Sequence, residues 1–129
     1  MLAGVEFQRK YERAAFLAGG SNYKAPAQRV EDFLKRRKSK RFGDVVPSYR
    51  PGVEPSDLNG VLPEFAAESM REALPQMGRL LHGFDHPDAV LTGVETRSSA
   101  PVRIERGADG CANVRGLYPT GEGAGWAGA

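Results

Sequence analysis

The pattern of apolar residues changes once along the chain, near residue 88, and this change constrains the fold more than any other feature. Before it, apolar residues recur at the three-to-four-residue spacing of helices. After it, AVLTGVET is rich in β-branched residues and PVRIER alternates apolar with charged positions. The sequence therefore predicts an α+β fold, with a helical domain over residues 1–88 followed by a small β unit over residues 89–129.

Four to five helices are expected in the first part. The first helix should end at Gly19-Gly20, which supplies a stop, and the second should begin at Pro26, because proline suits the first helical turn. The second helix would present Val30, Phe33 and Leu34 to the core. The apolar stripe of the first helix comprises Phe7, Tyr11, Ala14, Ala15 and Ala18.

Prolines and glycines interrupt the chain between the second helix and the longest one. This segment is expected to be a loop with one short helical turn, which begins near Pro55 and ends at Gly60. Pro63 opens the longest helix, and Pro75 inside it predicts a kink or two helices that meet there. Its apolar stripe comprises Ala66, Met70, Ala73, Leu74, Met77, Leu80 and Leu81.

Three strands are expected in the second part, near residues 89–95, 101–106 and 112–119. The turn sequence GADG separates the last two. Some strand edges would pair with a neighbouring domain in a longer protein and would be exposed in this chain alone. We expect such exposed edges to allow self-association.

Composition excludes several classes of protein. The net charge of +2 favours no particular partner, and the single cysteine, Cys111, excludes an internal disulfide and fits a reducing compartment. No apolar run approaches the ~18 residues of a membrane-spanning helix. We therefore expect a cytoplasmic protein that makes no membrane contact.

Six of the seven residues from Lys35 to Arg41 are basic. Such a run is typical of phosphate contacts in a nucleic-acid-binding module, and that function is one alternative for this chain. The other interpretation is a solvated helix C-terminus, where cations are favoured by the helix dipole. Because no aromatic residues interleave the run, we favour the second interpretation and consider nucleic acid an improbable partner.

Two other groups of residues have the side chains of a chemical site. His82 and His86 lie four residues apart but on either side of a helix end, so no metal site is expected. The segment 92–106 carries arginines that would either clamp an anionic group or form a cross-strand salt-bridge ladder, and the sequence leaves both open.

The chain closes on GLYPTGEGAGWAGA, which contains a literal G-x-G-x-x-G from Gly123 to Gly128. As a first dinucleotide-binding turn this match fails. The fingerprint requires a strand directly before the first glycine and an acidic residue about 20 positions later, and neither requirement is met.

The same stretch resembles the second flavin motif of two-dinucleotide-binding FAD proteins, in which a short strand precedes Gly-Asp or Gly-Glu. The chain as a whole is similar to the C-terminal part of a family of poorly characterised bacterial FAD-dependent dehydrogenases. The segments that carry this resemblance are AGVEFQRKYERAAFLAGGSNYKAPAQRVEDFL, PSYRPGV, LPEFAAESMREALPQM, AVLTGVETRSSAPVRI and GLYPTGEGAGWAG.

The resemblance implies a cofactor site at the closing stretch. Glu122 would hydrogen-bond the ribityl chain of FAD, while Gly121 and Gly123 would let the backbone approach the cofactor. Ala124 and Gly125 would continue this segment into a helix whose N-terminus faces the flavin.

The resemblance also implies roles for the rest of the chain. Residues 1–88 would be a helical substrate or cap domain inserted in the FAD-binding domain, and residues 89–129 would return towards the flavin. Thr96, Arg97 and Arg103 would then meet a small-molecule substrate. No residue stands out as a catalytic acid or base.

The sequence lacks the phosphate-binding G-x-G-x-x-G on its own strand and helix. We therefore expect a fragment of a larger FAD-dependent oxidoreductase, whose main partner is the remainder of its own FAD-binding domain. The fragment alone is expected to bind FAD weakly or not at all. A non-catalytic helical interaction domain is a further alternative.

Overall fold

A computed structural model describes residues 3–96 and 103–124. The chain divides into a terminal unit, formed by Met1–Arg9 and Glu95–Ala129, and a central unit, Lys10–Val94. The elements are helices α1 (Ala3–Ala18), α2 (Val30–Leu34) and α3 (Glu64–Leu80), strands β1 (Ala25–Arg29), β2 (Val53–Pro55) and β3 (Val90–Thr92), and 3-10 turns at Leu58–Gly60 and Gly121–Ala124.

The three strands form one mixed sheet in the order β2-β1-β3. β1 runs parallel to β2, with Ala27 opposite Pro55, and antiparallel to β3, with Ala27 opposite Thr92. Because β1 is central, it is the most buried of the three, and Ala27 has no exposed surface. The described residues thus confirm a small α+β fold.

The first predicted helix and its stop are confirmed by α1. The chain leaves this helix through Gly19, where a Cβ atom would lie 2.0 Å from the carbonyl oxygen of Lys24. Gly20 follows with a φ of +90°, which favours glycine. These two glycines let the chain turn back at once and enter β1 at Ala25.

The hydrophobic core of the central unit lies where α2 and α3 pack with the 3-10 turn at residues 58–60. Phe33 and Leu58 are its largest fully buried apolar side chains. The buried core cluster comprises Ala15, Val30, Phe33, Leu58, Val61, Ala67 and Leu74. Part of the expected α3 stripe lies outside it, since Leu80 is 83% exposed.

The helix predicted from Pro26 is wrong over its first residues, because that stretch forms β1 and only Val30–Leu34 are helical. Hydrogen bonds from distant parts of the chain override the local preference: the Pro26 carbonyl accepts from the backbone N–H of Gly93 at 2.9 Å. The expectation of four to five helices is also wrong, since the described residues contain three.

α3 runs through Pro75 as one helix, so the two-helix alternative is not adopted. Proline removes one backbone donor from the helix ladder. Ala67 and Leu74, which are both buried, lie seven residues apart on one face and anchor the part of the helix before Pro75 on the core.

Two of the three predicted strands are not formed in the described residues. β3 accounts for the first, whereas residues 103–106 and 112–119 have no strand structure, and residues 101–102 lie outside the description. Close-range backbone bonds explain the difference: Gly107 donates to Cys111 and Ala112 donates to Leu117, which closes short loops instead of a ladder.

The side-chain amide of Gln28 joins three parts of the central unit. Gln28 is fully buried; its Nε2 donates to the Arg37 carbonyl at 2.8 Å, and its Oε1 accepts from the Leu58 N–H at 2.8 Å. One residue of β1 therefore fixes both the segment that follows α2 and the 3-10 turn at Leu58–Gly60.

Replacing Gln28 with leucine is expected to lower the free energy of unfolding by about 3 kcal/mol, because a buried donor and acceptor would lose their partners. Urea unfolding of the chain measures this loss. The matched control is Gln76→Leu at an exposed position of α3, which should change stability by less than ~0.5 kcal/mol. Wild-type stability in Gln28→Leu would contradict this account.

Candidate functional site

The glycine turn, Gly121–Ala124, adopts a 3-10 conformation. Gly121 has a φ of +59°, in the left-handed region that favours glycine, and a Cβ atom there would meet nothing within 4 Å. Glu122 is exposed and makes no ion pair or hydrogen bond in the described parts of the chain. The turn therefore presents a carboxylate beside an open stretch of backbone.

A hydrogen bond from an arginine holds the chain just before the glycine turn. Pro119 is buried, and its carbonyl accepts from Nη1 of Arg106 at 3.3 Å. This bond fixes the entry to the turn two residues before Gly121. Gly125, which the resemblance also assigns to the cofactor, lies outside the described residues.

The loop that contains Arg106 encloses a solvent-open depression of about 980 Å³. Arg103, Arg106 and Arg115 all line it. We call it the arginine depression. The loop is held by backbone bonds, among them Gly110 N–H to the Gly107 carbonyl at 2.9 Å. Glu122 is not one of the residues that line it.

The three residues predicted to meet substrate have different positions. Arg103 lines the arginine depression, whereas Thr96 does not. The Thr96 carbonyl accepts from the side-chain amide of Gln8 at 2.6 Å, so this backbone group already has a partner. Arg97 lies outside the described residues. The sequence singled out Arg103 but missed Arg115, which follows a turn twelve residues later.

The basic segment, residues 35–41, begins where α2 ends. Arg36 has a φ of +53°, while Arg37 N–H bonds the Asp32 carbonyl at 2.9 Å and Arg36 N–H bonds the Phe33 carbonyl at 3.1 Å. This pattern is the Schellman motif that closes many helices. The basic segment is thus built into a helix C-terminus.

Acidic side chains pair with half of the basic segment. Lys35 pairs with Glu31, Arg36 with Glu68 at 2.8 Å, and Arg37 with Asp32 at 2.5 Å. A cation already paired within the fold offers less to a phosphate backbone than a free one. These pairs favour the interpretation as a helix end over a nucleic-acid-binding surface.

Asp32 is the most buried of these acids, and its carboxylate joins several donors. Ser39 Oγ donates to Oδ2 at 2.7 Å, and Arg37 Nε donates to Oδ1. Burial alone would raise the pKa of this carboxyl, but the hydrogen bonds from Ser39 and Arg37 and the charges of Arg37 and Arg29 outweigh it and lower the pKa. Asp32 is therefore held ionised as a structural acceptor.

A second ion pair, missed from the sequence, joins β1 to the segment before β3. Arg29 Nη2 lies 2.6 Å from Oδ1 of Asp88. The backbone N–H of Asp44 also donates to Asp88, and this bond, with the charge of Arg29, lowers the pKa of the Asp88 carboxyl. The Asp88 carboxylate therefore serves as a structural acceptor that connects three segments of the central unit.

Two observations on the described residues concern metals and membranes. Within residues 3–96 and 103–124, no three His, Cys, Asp or Glu side chains are grouped closely enough to hold a metal ion. In the same residues, each helix is too short or too polar to cross a lipid bilayer.

Comparison with known proteins identifies the family. A family model described as "FAD-dependent protein, C-terminal domain-like" matches residues 1–98. The chain belongs to this family. The expected relationship to FAD-dependent proteins is thereby confirmed. The matched residues end before the glycine turn, so the assignment of Gly121 and Glu122 to the flavin stays a prediction.

A curated relative is similar to nearly the whole of this chain but is itself much longer. The chain is 52% identical over 128 residues to an uncharacterized protein of Clostridium beijerinckii. The match covers 98% of this chain and 24% of the relative. The domain thus spans about a quarter of the length of that relative.

Replacing Asp32 with asparagine is expected to lower the free energy of unfolding at pH 7 by about 2 kcal/mol, because a charge-assisted acceptor is lost. Since the folded-state pKa is lowered, the carboxylate's contribution is present above the unfolded value of about 3.9 and is lost as pH falls through the folded pKa. The difference in stability between the two proteins should therefore begin to narrow below about pH 4 and close below the folded-state pKa.

Urea unfolding at pH 7 and at pH 3 measures this difference. Glu72→Gln makes the same chemical change at an exposed position of α3 and should leave stability close to wild type at both pH values. A gap between wild type and Asp32→Asn that stays constant with pH would refute the role of the ionised carboxylate.

Proposed function

We propose that the chain is a portion of an FAD-dependent oxidoreductase and that its glycine turn contributes one wall of the flavin site. The observation that carries this proposal is the left-handed Gly121 followed directly by the exposed carboxylate of Glu122. Membership of an FAD-dependent protein family supports it. The dehydrogenase class rests on the resemblance of the motifs.

The residues of the glycine turn fit the part of FAD assigned to them. A carboxylate accepts hydrogen bonds from hydroxyl groups, which the ribityl chain supplies, and Glu122 has no competing partner in the described residues. The open space beside Gly121 leaves its backbone accessible to a ligand. When bound, FAD supplies the redox chemistry, and the protein positions it.

The remaining residues would orient the substrate and enclose the cofactor. We assign residues 1–88 to a helical substrate or cap domain and residues 89–129 to a segment that returns to the FAD-binding domain. Thr96, Arg97 and Arg103 would face a small-molecule substrate. The main partner is the remainder of the protein's own FAD-binding domain, and we place the protein in the cytoplasm.

The isolated 129-residue chain is expected to purify without stoichiometric flavin, because the glycine turn offers one carboxylate and a few backbone groups to a large cofactor. Absorbance between 350 and 500 nm, roughly the flavin range, and titration with FAD measure this. A yellow protein with one flavin per chain would contradict the expectation that most of the FAD-contacting surface lies elsewhere.

In the longer polypeptide that contains this domain, Glu122→Ala is expected to raise the Kd for FAD at least about tenfold, because a charge-assisted hydrogen bond is worth about 1.5–3 kcal/mol. Equilibrium dialysis of the flavin measures the Kd. The control, Glu72→Ala, removes a carboxylate from an exposed position of α3 and should leave the Kd unchanged. Equal Kd values for wild type and Glu122→Ala would remove Glu122 from the flavin site.

A further inference from the structure

The arginine depression concentrates positive charge in one loop of the terminal unit. Three arginines line it, and the acids that line it are Glu105 and Asp109. Asp109 is partly engaged, since its Oδ1 accepts from the backbone N–H of Cys111 at 3.0 Å. The depression therefore has an excess of cationic groups around a space of about 980 Å³.

Two of these guanidinium groups are available to a ligand. Arg103 and Arg115 are exposed, and neither makes a hydrogen bond or ion pair within the described parts of the chain. Arg106 has a structural role, because its hydrogen bond to the Pro119 carbonyl connects the loop to the segment that enters the glycine turn. Arg103 and Arg115 thus supply free donors, and Arg106 holds the loop.

The structure removes the competing explanation for these charges. Alternating charges on paired strands would have formed a salt-bridge ladder, but residues 103–106 are not in a strand. Arg103 and Glu105 have no ion pair in the described residues. The charges of the loop are therefore not used to hold a sheet together, unlike those of the central unit.

We propose that the arginine depression binds an anionic group, a carboxylate or a phosphate, of the small-molecule substrate. The identification of the ligand as substrate rests on the proposed function; the binding of the anionic group does not. Guanidinium groups present paired N–H donors that match the oxygens of carboxylates and phosphates. A space of this size is in the upper range of pockets that take small molecules, ~300–1,000 Å³.

The depression is open, so an anion can enter without any rearrangement of the loop. Such a site has exposed charges, and its affinity should fall with rising ionic strength because screening acts on exposed groups. Weak binding, in the millimolar range, is expected for a small anion in the isolated chain, because each exposed charged contact contributes little. This expectation sets the concentrations for the test.

The test titrates the 129-residue chain at low salt with inorganic phosphate and, separately, with succinate, following backbone amide shifts by NMR. Saturable shifts confined to residues 103–116 are expected for at least one anion. The double variant Arg103→Ala/Arg115→Ala should bind at least about tenfold more weakly. The matched double Arg→Lys variant keeps the charge but lacks the paired N–H donors of the guanidinium group. Its affinity for the anion should lie between those of the wild type and the alanine variant.

Arg79→Ala is the control, because it removes an exposed arginine from the last turn of α3; its affinity should stay within about twofold of wild type. If circular dichroism shows that the double alanine variant does not fold, the affinity of the double lysine variant tests the proposal instead. A preference for phosphate or for succinate identifies the source of the anionic group, and either supports the proposal. No saturable binding, or equal affinity in the double variants and wild type, overturns it.

These results separate the inference from the proposed function. Anion binding is measured on the isolated chain without flavin, whereas the flavin site is tested through Glu122 in the longer polypeptide. If the wild-type chain binds no anion but Glu122→Ala weakens flavin binding, only the proposal for the arginine depression is wrong. If the chain binds an anion but Glu122→Ala leaves the Kd for FAD unchanged, only the assignment of the glycine turn to the flavin site is wrong.

Discussion

The buried amide of Gln28 is the interaction on which the central unit depends. It lies on the middle strand and meets the chain at two places, the Arg37 carbonyl and the Leu58 N–H. A buried amide group must be satisfied at both ends, since an unpaired donor or acceptor costs about 1–3 kcal/mol. One side chain therefore helps to fix both the path of the chain after α2 and the position of the 3-10 turn at residues 58–60.

The charged residues of the two units are used differently. In the central unit, Arg29 pairs with Asp88, Arg36 with Glu68 and Arg37 with Asp32, so these cations hold loops against the sheet and helices. In the terminal unit, Arg103 and Arg115 surround a depression without ion pairs in the described residues. Ion pairs within the fold account for half of the basic run. In the described part of the terminal unit, the unpaired Arg103 and Arg115 beside a cavity point to a ligand.

The sequence predicted the parts of the fold that depend on local signals. Helix α1, its glycine stop and α3 all follow from periodicity and punctuation within a few turns. Strand β1 was missed because its partners β2 and β3 lie far away in the sequence, and a proline at its second residue resembles a helix start. Over the described residues 103–106 and 112–119, the two other expected strands are not formed, and backbone bonds between near neighbours close loops beside and within these stretches.

The candidate site was predictable only where a motif marks it. Gly121 and Glu122 stood out because the closing stretch resembles the second flavin motif, whereas Arg115 joins Arg103 only through the folding of the loop. The crystal structure of the flavin-loaded longer polypeptide tests the central claim most directly. The account predicts a Glu122 carboxylate oxygen about 3 Å from a ribityl hydroxyl of FAD. FAD bound with Glu122 in solvent, beyond hydrogen-bond reach, would contradict it.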